Sequence, residues 1–276
     1  MVNKIIFILF FICLGSYAIA KENSLDYSIV SLLGVQDYKV NQKFIQKLFE
    51  NQEEFLNGVG EPDLYKISKI LKENGLLKLT FGKPMELEIA FEIKENPATF
   101  TSVLYDVLGA MGYYYFLVKQ SMLEDEKYHF VLSMNTEYAV DPVLLQERLL
   151  AYGYHISKIE KRNINQWVYE VWQGDFQYPK AILLTINETN NHANLKGEYW
   201  YKIQEGKNIS FASVGGVSWH PKIVFFDKNL KIINIVSSQD TMREINLKIP
   251  ENTSFIKVSD NYLPITIKNG LNVLLK

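Results

Sequence analysis

The chain has 276 residues, of which 47% are hydrophobic and 22% are charged, and its 29 lysines and arginines nearly balance its 31 aspartates and glutamates. This length and apolar content are enough for two hydrophobic cores. The formal net charge of −2 lacks the basic excess that nucleic-acid binding requires, so we expect no nucleic-acid partner.

The first twenty residues have the pattern of a cleavable secretory signal peptide. Lys4 precedes the apolar run 5–14, and Ala18-Ile19-Ala20 gives the small-x-small pattern of a cleavage site. The sequence therefore predicts export to a bacterial periplasm, with cleavage after Ala20. An uncleaved N-terminal anchor is the alternative, although the apolar run is shorter than the ~20 residues of a membrane span. We expect no transmembrane segment after signal cleavage.

Cys13 is the only cysteine, and it lies within the predicted signal peptide. We therefore expect an exported protein without disulfide bonds, a cysteine nucleophile or a thiolate metal site, although export itself permits disulfides. Ile12 stands where a lipoprotein signal needs a small residue, so a lipid anchor on Cys13 is rejected.

The segment that follows the signal peptide divides into two parts. Residues 21–40 have mixed composition without periodicity, and we interpret them as a linker or extended lead-in. Residues 41–76 have apolar side chains at helical spacing on either side of Gly58 and Gly60, which predicts a helical hairpin.

Residues 77–173 carry the clearest pattern in the sequence. Apolar and polar residues alternate strictly over residues 85–93, which predicts a half-buried strand. Two helical stripes follow, each opened by a capping residue and a proline: Asn96-Pro97 and Asp141-Pro142. Four further segments predict strands: 113–119, 128–134, 154–159 and 167–172. The order βαββαβ plus one strand predicts an α+β domain of the ferredoxin-like type.

The two predicted helices of this domain have similar ends. The sequence reads Ala-Met-Gly-Tyr around Gly112 and Ala-Tyr-Gly-Tyr around Gly153. An internal duplication and the general chemistry of helix ends both explain the similarity, and the predicted fold depends on neither.

The composition changes after Gly174. Helical stripes are absent from residues 179–276, and nine short apolar strands recur between turn-forming segments such as 227–229 and 269–270. This spacing is typical of an all-β sandwich, and we expect the domain boundary between Gly174 and Pro179. In architecture alone, this half resembles jelly-roll-like accessory and carbohydrate-binding sandwiches.

Patterns of known catalytic or metal sites are missing from the sequence. The four histidines are far apart and belong to no metal-binding motif, so we expect neither a metal ion nor another cofactor. The segment 215–220 contains a serine and a histidine but lacks the nucleophile elbow of serine hydrolases. Glu86, Glu88 and Glu92 share a strand face, where alternation is typical of a solvated surface rather than of paired catalytic carboxylates. We therefore predict no catalytic residues.

Aromatic residues are the remaining candidates for binding. Residues 113–116 would place aromatic rings on both faces of a strand, so Tyr114 and Tyr115 are candidates for the open face of the sheet. Coverage of that face by the helical hairpin is the alternative. In the sandwich, three aromatic residues are candidates for a platform on which a sugar could stack: Trp200, Tyr201 and Trp219. The alternative is that these residues pack in the core or at an edge of the sandwich.

The sequence thus indicates a non-enzymatic periplasmic protein that acts as an interaction or scaffold component of the cell envelope. Its partners would be other envelope proteins, for example in an envelope-spanning assembly such as a flagellar motor or a secretion system. The alternative is a module that binds glycan or peptidoglycan through the sandwich, and the third hypothesis is a hydrolase.

Overall fold

The structure, a computed structural model, describes residues 24–276, so the predicted signal peptide of residues 1–20 lies outside the described residues. The described part is a mixed α+β structure with five α-helices and three mostly antiparallel sheets. Among these helices, none is both long and apolar enough to cross a membrane.

Three helices begin the described chain: α1 (Leu25–Leu33), α2 (Val35–Leu48) and α3 (Leu64–Glu73). The expected linker or extended lead-in over residues 21–40 is therefore wrong for residues 25–40, and the expected hairpin over residues 41–76 becomes part of a three-helix segment. The apolar residues of α1 are buried at helical spacing. Packing of α1 against β4, described next, explains why a nine-residue helix is stable here.

The first sheet contains five strands: β1 (Thr80–Ile93), β2 (Leu117–Glu124), β3 (Lys127–Tyr138), β4 (Tyr154–Asn163) and β5 (Gln166–Gln173). Helix α4 (Pro97–Ala110) follows β1, and α5 (Pro142–Leu150) follows β3. The chain order is therefore the predicted βαββαβ plus one strand. In space the order is β2-β3-β1-β5-β4, because β5 pairs in parallel with β1 and separates it from β4.

One face of this sheet packs against the helices. The odd-numbered residues of β1 from Leu87 to Ile93 are buried, as the alternation predicted. At the centre, the ring of Phe91 stacks on Tyr169 of β5 at 5.4 Å and meets Phe100 of α4 edge-on at 5.8 Å. Aromatic side chains thus join the middle of the sheet to its helical layer.

The opposite face of the sheet carries mainly charged side chains, and Trp172 of β5 is an exposed aromatic ring on it. Lys119 pairs with Glu86, and Lys127 lies 3.4 Å from Glu92 and 3.8 Å from Glu170. These carboxylates alternate with buried residues along their strands, as expected of a solvated face. The expected strand over residues 113–116, with Tyr114 or Tyr115 on the open face, is wrong, because these residues are not in a strand.

Nine strands build the C-terminal part of the described chain: β6 (Ile182–Leu183), β7 (Thr189–His192), β8 (Glu198–Lys202), β9 (Asn208–Ser213), β10 (Pro221–Phe226), β11 (Ile232–Ser237), β12 (Glu244–Lys248), β13 (Phe255–Asp260) and β14 (Leu271–Leu275). They form two sheets, β11-β10-β13-β8-β6 and β12-β9-β14-β7, which share one hydrophobic core. We call them the C-terminal sheets. Of the nine strands that the sequence predicted here, the one over residues 265–267 is a 3₁₀ turn in the structure. Strand β7 was not among the nine.

The segment 174–179 between the two parts is packed. Phe176 is buried, and its ring meets Tyr154 at 6.2 Å and Phe255 of β13 at 5.8 Å, both edge-on. The amide of Gln177 donates to the carbonyl of Tyr152 at 3.1 Å. The two parts of the chain therefore share buried apolar contacts where the sequence predicted a boundary.

Candidate interaction surface

An exposed apolar surface follows the free edge of β2. Its side chains have exposed fractions between 43% for Met122 and 92% for Tyr115. We call this the β2 edge surface, and it consists of six residues: Tyr114, Tyr115, Leu117, Val118, Met122 and Leu123. Exposed apolar groups in one continuous stretch of chain are typical of an interaction site.

Two anchoring rings explain why Tyr114 and Tyr115 point outward. The Tyr113 hydroxyl donates to the carbonyl of Ala139 at 3.4 Å, and the Phe116 ring lies 5.1 Å from that of Tyr105 on α4. Tyr114 and Tyr115 lie between these two anchors. Both sequence-predicted tyrosines are therefore exposed, at 73% and 92%, although for a different reason than the expected strand.

A bulge in β2 distributes the apolar side chains of the surface over both sides of the sheet. The register with β3 shifts between Val118 and Gln120. As a result, Leu117 and Met122 lie on the charged side, opposite Ser133 and His129.

Val118 and Leu123 lie on the helical side of the same edge, opposite Leu132 and Tyr128. Within residues 24–276, the backbone of β2 forms hydrogen bonds only with β3. An unpaired edge with apolar groups on both sides is suited to the addition of a further strand.

The other strand edges differ from β2 in length, charge or coverage. Helix α1 packs beside β4. Strands β6 and β7 have only two and four residues, and β12 begins with Glu244 and ends with Lys248. The edge most similar to β2 is β11, where Ile232 and Ile235 are 54% and 51% exposed.

The predicted sugar-stacking platform does not form. Tyr201 and Trp219 are 0% exposed in the core of the C-terminal sheets. Trp200 points the other way and is partly buried between Tyr178, at 4.6 Å, and Phe226, at 5.2 Å. The expectation is wrong because stacking on a sugar requires an exposed ring face.

The residues considered for hydrolase chemistry are not connected as a triad. Among the described residues, no hydrogen bond joins Ser218 to His220, and His220 Nδ1 lies 3.8 Å from Asp260 Oδ2, beyond hydrogen-bond distance. Asp227 accepts the amides of Asn229 and Lys231 and holds a hairpin turn. Within residues 24–276, no group of three or more His, Cys, Asp or Glu side chains could hold a metal ion.

Asp260, which the sequence did not single out, is the buried charge of this region. It is 3% exposed, and its carboxylate accepts the amides of His220 at 2.8 Å, Tyr262 at 2.8 Å and Leu263 at 2.9 Å. Burial raises its pKa, but these three hydrogen bonds and the nearby His220 outweigh burial, so the pKa of Asp260 lies below its usual value.

We expect Asp260→Asn to lower the free energy of unfolding by about 1–3 kcal/mol at pH 7, because an amide NH₂ would face a backbone N–H. Since the folded pKa is below the unfolded one, the carboxylate stabilises the protein above about pH 4 and loses this effect as pH falls through the folded pKa. Urea denaturation of both proteins at decreasing pH should show the difference shrinking. The exposed Asp240→Asn is the control. A difference that persists in acid would contradict the assignment.

Comparison with known proteins gives no relative: no protein-family model matches the chain, and neither a curated protein nor a solved structure matches it significantly. The function must therefore be inferred from the geometry of this chain.

Proposed function

We propose that this chain is a non-enzymatic interaction protein of the bacterial cell envelope, which holds a partner protein along the β2 edge surface. The observation that carries the proposal is an unpaired strand edge with exposed apolar side chains on both sides. The export proposed from residues 1–20 would bring the protein among envelope partners.

The proposed architecture supports this role. We infer a ferredoxin-like βαββαβ domain with one inserted strand, followed by a jelly-roll-like β-sandwich. Both fold types frequently serve as docking modules, although fold alone does not define function. The shared contacts at Phe176 and Phe255 would let the second domain hold the first in a defined orientation.

The proposed mode of binding is strand addition. A strand of the partner would pair with the free edge of β2 through main-chain hydrogen bonds, and its alternating side chains would reach both sides of the edge. Leu117 and Met122 would contact one set, and Val118 and Leu123 would contact the other. Tyr115, almost fully exposed, would lose the most surface to the solvent on binding.

We expect Leu123→Lys to reduce recovery of the partner by about tenfold or more, because losing an apolar anchor of a contact costs about 2 kcal/mol. The measurement is cross-linking in the producing bacterium, followed by purification and quantitative identification of the linked protein. Ile235→Lys is the matched control, since it places the same charge on the exposed edge β11.

Both variants replace exposed residues, so urea denaturation should show nearly unchanged stability. Full recovery of the partner with Leu123→Lys would contradict docking at β2. Loss with Ile235→Lys alone would move the docking edge to β11.

A further inference from the structure

Four strongly exposed apolar side chains lie together at one end of the C-terminal sheets. They project from two loops, 193–197 and 261–270, and their exposed fractions range from 51% to 87%. We call these residues the apolar tip: Leu195, Tyr262, Leu263 and Ile265. Single exposed apolar residues are ordinary on a protein surface, but several on neighbouring loops are typical of an interaction site.

Direct contacts hold the two loops of the apolar tip side by side. The amide of Asn194 donates to the carbonyl of Lys268 at 3.2 Å. Gly197 lies so close to the second loop that a Cβ atom on it would collide with the carbonyl group of Pro264 and lie 3.0 Å from the nitrogen of Ile265. The four apolar side chains therefore belong to one surface.

Hydrogen bonds fix both loops in shapes that leave these side chains uncovered. The side-chain oxygen of Asn194 accepts the amide of Lys196 at 2.9 Å, and the leucine between these two residues is 87% exposed. In the second loop, the buried carboxylate of Asp260 accepts the amides of Tyr262 at 2.8 Å and Leu263 at 2.9 Å. The exposure of the apolar tip is therefore a defined feature of the fold.

The apolar tip lies at the opposite end of β13 from the contact between the two parts of the chain. Strand β13 begins at Phe255, whose ring meets Phe176, and it ends at Asp260, next to the tip. The neighbouring strand β8 begins at Glu198, directly after the first loop. Five strand residues rise about 17 Å, so the contact at Phe176 does not cover the tip.

The two loops of the tip carry unpaired positive charges. Lys196 and Lys268 are exposed, and neither has an ion pair among residues 24–276. Neither loop contains an aspartate or glutamate. Asp260, which precedes the second loop, is 3% exposed, and backbone amides surround its carboxylate.

Other charges at this end of the sheets are paired or lie near another edge. Glu198, at the start of β8, lies 3.1 Å from Lys257. Asp240, Arg243 and Glu244 lie where the chain passes from β11 to β12. Strands β11 and β12 are edge strands of the two sheets, whereas loop 193–197 joins β7 to β8 near the opposite edges. These three charges therefore lie away from the apolar tip.

This combination of side chains matches the surface of a lipid bilayer. The four apolar residues are outside the β-strands, so the tip offers no strand edge for pairing with a peptide. Leucine and isoleucine partition into the boundary between headgroups and acyl chains, and tyrosine is enriched at the level of the headgroups. Lysines close to a membrane surface are attracted to anionic headgroups.

We propose that the apolar tip docks on a lipid bilayer that contains anionic phospholipids. Its leucine and isoleucine side chains enter the boundary between headgroups and acyl chains, its tyrosine lies among the headgroups, and Lys196 and Lys268 contact anionic headgroups. The tip shares no residue with the β2 edge surface, so it adds a membrane contact to the proposed contact with a partner protein.

Sedimentation with vesicles tests the apolar part of the tip. The vesicles contain equal amounts of phosphatidylcholine and phosphatidylglycerol. The tip variant combines Leu195→Ser with Leu263→Ser, and the matched control combines Ile232→Ser with Ile235→Ser on the exposed edge β11. We expect the tip variant to bind at least about tenfold more weakly than wild type and control. Urea denaturation should show that both variants are folded. Absence of binding by wild type, or equal binding by the two variants, would overturn the proposal.

A second pair of variants tests the charges. Lys196→Gln with Lys268→Gln should weaken binding to the same vesicles by about tenfold or more. The control, Lys207→Gln with Lys248→Gln, removes two exposed lysines from the opposite end of the C-terminal sheets and should bind like wild type. Vesicles of phosphatidylcholine alone should bind wild type at least about tenfold more weakly. Equal binding to both kinds of vesicle would contradict docking on anionic lipid.

A fluorescent label tests whether the tip enters the bilayer. Cys13 is the only cysteine, so Leu195→Cys in a Cys13→Ser background gives a single site for a label that is sensitive to polarity. Vesicles should shift its emission to shorter wavelength, whereas a label at Glu205→Cys, at the opposite end of the sheets, should not respond. An unchanged emission at position 195 would overturn the proposal. Loss of a cross-linked partner protein from the tip variant, without vesicle binding by wild type, would identify a protein-docking site instead.

Discussion

Gly153→Ala should lower the free energy of unfolding by about 2–5 kcal/mol, the sum of a strained backbone and a steric clash. Gly153 follows α5 with a φ of +81°. A Cβ atom on it would lie 2.2 Å from the carbonyl oxygen of Asp175 and 3.2 Å from Cα of Phe176. The substituted side chain would therefore push the segment 174–179 away from the end of the helix.

Gly112→Ala is a closely matched control. Gly112 follows α4 with a φ of +93° in the similar sequence Ala-Met-Gly-Tyr, but nothing lies within 4 Å of the Cβ position. Its substitution should cost only the left-handed backbone strain of about 1–2 kcal/mol. Urea denaturation measures both. Equal losses would mean that the segment 174–179 does not pack against Gly153.

The comparison of the two glycines also shows what local sequence can and cannot predict. Helices α4 and α5 each follow from a proline in the first turn and a closing glycine. Asp141 caps α5 by accepting the amide of Val143, as expected. The predicted cap of α4 is wrong, because the Asn96 side chain forms no capping hydrogen bond and donates to Gln173 instead. The close approach of Asp175 to Gly153 depends on where the next strands return, which neither helix encodes.

Long-range packing likewise explains why the sequence did not predict helix α1 or the order of the strands in the first sheet. Helix α1 is only nine residues long, and its buried residues contact β4, more than a hundred positions later. The alternation in β1 predicts a buried face but not the neighbour of the strand. Pairing of β1 with β5 rather than β4 was therefore not predictable from period-two patterns.

The candidate sites were predictable only in part. Alternation in β8 shows that Tyr201 and Trp200 face opposite sides, but not which side is the core. Tyr114 and Tyr115 are exposed because their neighbours Tyr113 and Phe116 are anchored. The cavity of about 980 Å³ beside β4 is lined by residues from α1, α3, α5 and three strands, so its lining is assembled only in the folded chain.

Trp219→Ala should lower the free energy of unfolding by about 3–5 kcal/mol, since removing a buried large side chain leaves a cavity. Trp219 is 0% exposed, and its backbone pairs with Met242 in both directions, at 3.0 and 2.9 Å. Its indole Nε1 finds no hydrogen-bond partner in the described structure. Trp219→Phe should therefore cost less than Trp219→Ala, because it fills much of the space and removes a buried unpaired N–H.

Trp172→Ala provides the contrast, because Trp172 is 45% exposed. Its loss should change the free energy of unfolding by about 1 kcal/mol or less. Urea denaturation should thus rank the losses as Trp219→Ala, then Trp219→Phe, then Trp172→Ala. If Trp219 served as a sugar platform, its alanine variant would remain as stable as wild type and lose glycan binding instead. The burial of Trp219 argues for the opposite result, in which stability falls first and any loss of binding follows from unfolding.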